Sequence, residues 1–208
     1  MTKERESQIN ECKELLIRLE RWIAADKFVR HQNGSIEAEY VLRDILNLIY
    51  GWHLDNANDL FGRNQDSFDL SDEGNGIAVQ VTVTDSAEKI RETLSKFIGK
   101  YDQNFKRLIF VYPKISPSES RADFAQDLNG FNFVATRDRV GLGTILSSAQ
   151  ASQLLPLRDL LRKELGSLAS LSFDQPSSSV IIANTVIANQ SIHMQLSGRA
   201  QAREDSPT

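Results

Sequence analysis

Apolar and polar residues alternate without a break from Ile77 to Thr84. Ile77, Val79, Val81 and Val83 fall on one face of an extended chain, and Ala78, Gln80, Thr82 and Thr84 on the other. The pattern predicts a half-exposed strand with an apolar back and a polar front. Just upstream, Phe68 and Leu70 share one parity and Ser67 and Asp69 the other, so a second short strand ends there. Residues 72–76 (Asp-Glu-Gly-Asn-Gly) are turn formers that would join the two as a hairpin. In that hairpin Asp69, Gln80 and Thr82 share the polar face.

Helical periodicity surrounds the hairpin. Ile9, Cys12, Leu15, Leu16, Leu19, Trp22 and Ile23 recur at spacings of three and four, which predicts an amphipathic helix over 3–25. A loop over 26–34 carries His31, read as a surface histidine. Ser35 is placed to cap a helix over about 36–50, with Val41, Leu42, Ile45, Leu46 and Ile49 facing inward. Glu37 and Glu39 sit in its first turn, where carboxylates suit the helix dipole. Glu39 also lies along the inward stripe, where a carboxylate needs a partner or a metal. Residues 51–66 are turn-rich, with a short strand expected near Trp52 to Leu54.

After the hairpin, Asp85 with Glu88 reads as a capping box that opens a helix over 86–101. Its buried stripe is Ile90, Leu94, Phe97, Ile98 and Tyr101, and Lys89, Thr93, Lys96 and Lys100 form a basic one. The apolar run from Leu108 to Tyr112, stopped by Pro113, predicts a buried strand. A helix over about 119–128, a strand from Phe131 to Ala135 and a helix over about 151–166, bent by Pro156 and ended by Gly166, follow. Gly141 and Gly143 lack the downstream Gly and Lys of a phosphate loop. Composition shifts at 167. A serine-rich linker over 167–179 leads to a β-prone run over 180–196, where Ile182-Ala183-Asn184 recurs as Ile187-Ala188-Asn189, and then to a disordered tail.

The balance of 24 Lys and Arg against 28 Asp and Glu excludes a wholly basic nucleic-acid coat and leaves room for a local basic face. A single cysteine, Cys12, rules out an intrachain disulfide and a Cys-rich zinc site. No stretch approaches the roughly 18 consecutive apolar residues of a membrane span. The charged start is followed by no apolar signal core. A soluble, cytoplasmic protein without a membrane partner is expected.

In order, the elements are a helix with Glu39, a weak strand, a strand with Asp69, a strand with Gln80 and Thr82, a helix with Lys89, and the strand over 108–112. This order resembles the core of the restriction-endonuclease-like, or PD-(D/E)xK, nucleases. There an acid on the second strand and an acid–x–lysine on the third converge, often with a glutamate from the first helix. At family level the chain resembles the bacterial SMEK domain. The resemblance rests on Glu39 followed by Leu46-Asn47, on Leu54 to Asn58, and on Asp69-Leu70-x-Asp72. Ile77-Ala78-x-Gln80-Val81-Thr82 and Lys89-Ile90-x-x-Thr93-Leu94-x-Lys96-Phe97 complete it. It spans about 35–112. It implies an α/β fold with a restriction-endonuclease-like core, a mixed central sheet flanked by helices, plus an N-terminal helix and a C-terminal β-prone tail. The domain would occupy 1–166, with 167–208 outside it. Phe68 stands where the superfamily name has proline, Gln80 where it has the acid, and Thr82 where it has the lysine.

The chemistry implied is metal-dependent hydrolysis of phosphodiesters. Hard Mg²⁺ or Mn²⁺, which prefers oxygen ligands, would be held by Asp69, Gln80 and Glu39. Lys89 would supply from the helix the cation missing at Thr82. Lys96 and Lys100 would extend the basic stripe as nucleic-acid contacts, with DNA as the expected substrate and a bacterial defence system as the setting. Two other readings stay open. One is a non-catalytic interaction or assembly module in which the same residues form a satisfied polar core, as Thr82 in the lysine's place suggests. The other is a nucleic-acid binder that uses only the Lys89–Lys100 stripe. The 180–196 run is expected to pair as β structure within the chain, with a second copy or with a partner protein.

Overall fold

The computed structural model describes residues 2–29, 32–57, 59, 67–118 and 122–173. The apolar run after Lys106 forms the central strand β4 (Arg107–Tyr112), buried at every position but the first. β3 (Ile77–Val81) and β5 (Arg139–Gly141) lie parallel to it on either side. β2 (Leu70–Asp72) pairs antiparallel with β3 across the expected turn, and β1 (Asp55–Asn56) antiparallel with β2. The result is a five-stranded mixed sheet in the order β1-β2-β3-β4-β5. It is flanked by α1 (Lys3–Val29), α2 (Gln32–Tyr50), α3 (Ala87–Phe97), α4 (Ala135–Asp138), α5 (Leu142–Ser148) and α6 (Ala151–Phe173). Met1–Gly166 forms one compact unit and Ser167–Thr208 a second, of which only the helical residues up to 173 are described. No described helix is long and apolar enough to cross a membrane.

Both faces of the sheet are covered. Ala78 of β3 and Leu108, Phe110 and Tyr112 of β4 share a cluster with Ile90, Leu94 and Phe97 of α3. Phe68, in the same cluster, meets the Phe97, Tyr101 and Phe105 rings edge-on at 5.0–6.0 Å. Alternation sends Ile77, Val79, Ile109 and Val111 to the opposite face, where they too are buried. The expected polar front of β3 is therefore not open to water along its length. Ala78 is small enough for α3 to lie over it, and the strand becomes accessible only from Gln80 onward. The α1 stripe Cys12, Leu15, Leu16, Leu19 and Ile23 is buried as its spacing predicts, and α1 packs on α2 and α5.

Several boundaries differ from the sequence reading. α1 continues to Val29, and α2 opens at Gln32, so Ser35 lies inside the helix and is not its cap. The first strand falls at 55–56, after Trp52 to Leu54, and the second at 70–72, after Asp69. Ser86, not Asp85, caps α3, accepting the Lys89 N–H at 3.3 Å. Asp85 is drawn away by Ser118 and Lys114. α3 ends at Phe97, short of 101. Of the helix expected over 119–128, only a 3-10 turn, Ala125–Asp127, is present among the described residues. The strand expected from Phe131 to Ala135 is absent. There the chain is irregular until α4, and the strand forms at 139–141.

The cause lies at Asp138, which is fully buried. It is held by Arg107 at 2.9 Å and Arg137 at 2.6 Å, and its carboxylate takes the Val134 N–H at 2.9 Å. α5 was not expected, although Leu142, Ile145, Leu146 and Ala149 follow the i, i+3, i+4, i+7 spacing of a buried helical stripe. Gly141 and Gly143 belong to a close approach between α5 and the loop after β4: the Leu142 N–H donates to the Lys114 carbonyl at 2.8 Å, and the Gly143 N–H to the Ile115 carbonyl at 3.0 Å. α6 runs through Pro156 and Gly166 to Phe173, so 167–173 is helix and not linker. His31, the β-prone run 180–196 and the tail lie outside the described residues.

Candidate functional site

Asp69 sits one residue before β2, where its backbone already takes part in the ladder on both sides. Its N–H donates to the Val79 carbonyl and its carbonyl accepts from the Ala57 N–H, each at 2.8 Å. This register places its side chain beside Gln80. The Gln80 Nε2 donates to Asp69 Oδ2 at 2.5 Å, and the Val81 N–H donates to the same oxygen at 2.7 Å. The carboxylate thus replaces a ladder carbonyl just beyond the end of β2. Its Oδ1 makes no hydrogen bond among the described residues.

Glu39 approaches from α2, where the helix start at Gln32 puts it about two turns in and not in the first turn, just ahead of the buried Val41 and Leu42. Its Oε2 accepts from Asn56 Nδ2 at 3.2 Å, and burial pushes its carboxyl above the usual range against that bond. Asp69 is raised further, to about 7. Burial is the largest cause and the negative charge of Glu39 the next, while the Val81 N–H and the Lys89 charge pull the other way. Two carboxylates are therefore close enough to repel, with Lys89 close enough to offset part of the repulsion. Lys89 stands in the first turn of α3, and its Nζ also lies 3.7 Å from Glu92 Oε2.

The four residues Glu39, Asp69, Gln80 and Lys89 thus come from α2, the start of β2, β3 and α3 to one locality. Thr82 does not extend the cluster, because its hydroxyl accepts the Thr84 N–H at 3.1 Å in a local turn. Lys96 lies 2.7 Å from Glu92, and the Lys100 ammonium lies 4.8 Å from the centre of the Tyr101 ring. The expected stripe is broken at Thr93, which is buried. His53 is exposed, and its backbone N–H donates to Asp72.

Asn56, which the sequence pattern did not single out, also joins this cluster. It is buried on β1 and is what orients Glu39. Its one signal was its place in the stretch Leu54 to Asn58. Among the described residues no three His, Cys, Asp or Glu side chains gather as metal ligands. What the cluster offers is two carboxylates and the Gln80 amide oxygen, all hard donors of the kind Mg²⁺ and Mn²⁺ take.

The SMEK domain family matches residues 11–150, which include all five strands and end at the residue before α6. The chain belongs to the SMEK domain family. No curated protein and no solved structure matches it. The Glu39, Asp69, Gln80 and Lys89 cluster and its Asn56 support all fall inside the SMEK domain, as do Lys96 and Lys100. α6 is attached to the SMEK domain by Gln153 Nε2, which donates to the Leu48 and Ile49 carbonyls at 2.9 and 3.1 Å, by the Cys12 thiol, which donates to the Leu154 carbonyl at 3.4 Å, and by Arg158 and Arg162, which both pair with Glu11.

Proposed function

We propose that this SMEK domain hydrolyses phosphodiester bonds, with Glu39, Asp69, Gln80 and Lys89 as its catalytic centre. The observation that carries the proposal is a half-buried carboxylate pair whose Asp69 member is held at about 7. Such a pair is unfavourable alone and becomes favourable with a divalent cation beside it. The element order α2-β1-β2-β3-α3-β4 supports the reading, since it is the order of the restriction-endonuclease-like core that the sequence resembles. Asp69, Glu39 and the Gln80 Oε1 would hold Mg²⁺ or Mn²⁺. When bound, the ion polarises a phosphate and lowers the pKa of water. The protein's own part is positional. Val81 and Gln80 fix the Asp69 carboxylate, Asn56 fixes Glu39, and Lys89 brings a positive charge to the phosphate. DNA is the substrate, and Lys96 and Lys100 lie along the same helix as further phosphate contacts.

The test is incubation of the protein with supercoiled DNA, single-stranded DNA and RNA in millimolar Mg²⁺ or Mn²⁺. Metal-dependent cleavage of DNA is expected, abolished by Asp69→Ala. In Lys89→Ala it should slow by about tenfold or more, in the range removal of one charge-stabilising group produces, with Mn²⁺ still bound by electron paramagnetic resonance. Absence of cleavage from every substrate with both metals would overturn it. Thr82 favours a second reading, a non-catalytic module, because the position expected to bear a lysine has its hydroxyl folded into a turn. Under that reading neither metal would bind at Asp69.

A further inference from the structure

A groove of about 1140 Å³ lies apart from the Asp69 cluster, walled by the first half of α1, the loop after β4, α4 and α5. The groove runs alongside β5, bordered by α4 and Arg139 at the strand's amino end and by α5 after its carboxyl end. Arg5, Lys13 and Arg139 face it, and none of the described residues that line it is acidic. That departs from a chain with 28 acidic residues against 24 basic ones. Among the described residues none of the three cations makes an ion pair.

Arg139 is the most firmly held. Its Nη2 donates to the Ser118 carbonyl at 2.9 Å and to the Asp85 carbonyl at 3.4 Å, and its Nε donates to the Tyr112 hydroxyl at 3.3 Å. The guanidinium lies 5.4 Å from the centre of the Tyr112 ring. Every one of these partners is neutral, so the charge is fixed in place and not cancelled. Its Nη1 makes no hydrogen bond among the described residues. The carboxylates behind the wall are engaged: Asp85 by Lys114 and by the Ser118 N–H and hydroxyl, Glu20 by the Ile115 N–H.

A fixed guanidinium in a wall whose described residues carry no carboxylate selects an anion, and the two N–H groups of its Nη1 are left to meet a phosphoryl oxygen. Between the cations the lining is apolar, with Ile9, Ile115 and Leu146, and Ser116 and Thr136 add hydroxyls. A simple inorganic anion would leave that apolar floor uncovered. We infer that the groove binds a nucleoside phosphate, its phosphoryl group on Arg139 with Lys13 and Arg5 beside it and its heterocycle over the apolar floor. The same chemistry can arrive as a free nucleotide or as one unit of a strand. Binding requires neither the Asp69 cluster nor hydrolysis.

The experiment is calorimetric titration of the full chain without divalent cations. The probes are inorganic phosphate, the nucleoside mono- and triphosphates, and a short single-stranded oligonucleotide. The parent and a chain carrying Asp69→Ala should bind nucleoside phosphates alike, which separates this site from the proposed hydrolysis. Arg5→Glu with Lys13→Glu should weaken binding about tenfold or more, equivalent to roughly 1.4 kcal/mol, with an unchanged melting temperature. Arg139→Lys, which keeps the charge and loses the fixed Nη1 donor, should weaken it too. Tighter binding of free nucleotides than of the oligonucleotide identifies the free ligand as the source, and the reverse identifies a strand. No binding below about 1 mM (roughly −4 kcal/mol), binding indifferent to these substitutions, or phosphate bound as well as any nucleotide overturns the inference.

Discussion

Asp69 meets two opposing demands. Its Oδ2 takes the Val81 N–H and so completes the ladder, while burial and Glu39 raise its carboxyl to about 7. In an unfolded chain the same group releases its proton near pH ~4. Between those values the folded state binds more protons than the unfolded one, so stability falls as pH rises. The contribution is fully present below about pH 4 and lost once pH passes about 7. In urea titrations of metal-free protein, the parent should lose on the order of a few kcal/mol relative to Asp69→Asn across that window. Parallel pH profiles for the two proteins would show an ordinarily ionised carboxylate. That Asp69 and Gln80 share a face was legible from parity, while their contact also needs the register Leu70↔Val79, which the turn between the strands sets. The Asn56–Glu39 bond was not, because a two-residue strand has no period to read.

The approach of α5 to the loop after β4 makes its two glycines obligatory at the scale of elements. A Cβ at Gly141 would stand 2.4 Å from Pro117 Cδ and 2.9 Å from the Lys114 carbonyl oxygen, and one at Gly143 2.6 Å from the Ile115 carbonyl oxygen. Those carbonyls are held by the Leu142 and Gly143 N–H groups, so the loop cannot retreat without losing both bonds. Gly141→Ala should therefore cost about 1–3 kcal/mol. Gly166 lies in α6, and a Cβ added there would meet nothing within 4 Å, so Gly166→Ala should stabilise by roughly 0.5–1 kcal/mol. Thermal melts should thus shift in opposite directions, and a shift of the same sign in both variants would contradict the packing described.

The same region shows where local pattern stops being informative. Phe131 to Ala135 reads as a strand by composition. Asp138, drawn inward by Arg107 thirty-one residues away, captures the Val134 N–H and turns the chain into α4. No periodicity announces an ion pair of that separation. The stripes of α1, α2 and α3 were legible because each is decided by its own spacing.

The carboxylate pair also has a consequence for the molecule as a whole. A cation that binds the folded chain and not the unfolded one stabilises by mass action, by about 2.7 kcal/mol at a hundred times its Kd. Millimolar Mg²⁺ or Mn²⁺ should raise the melting temperature of the parent and leave Asp69→Ala unmoved. An unchanged parent would remove the metal from the proposed centre. The sheet that carries this centre tapers from six residues in β4 and five in β3 to three in β5 and two in β1. A foreign strand laid against either margin would find only one or two ladder bonds, while fixing its own backbone costs ~1–2 kcal/mol per residue. The described strands are thus poor templates for growth, and copies that associate through this part of the chain would have to do so through side-chain surfaces.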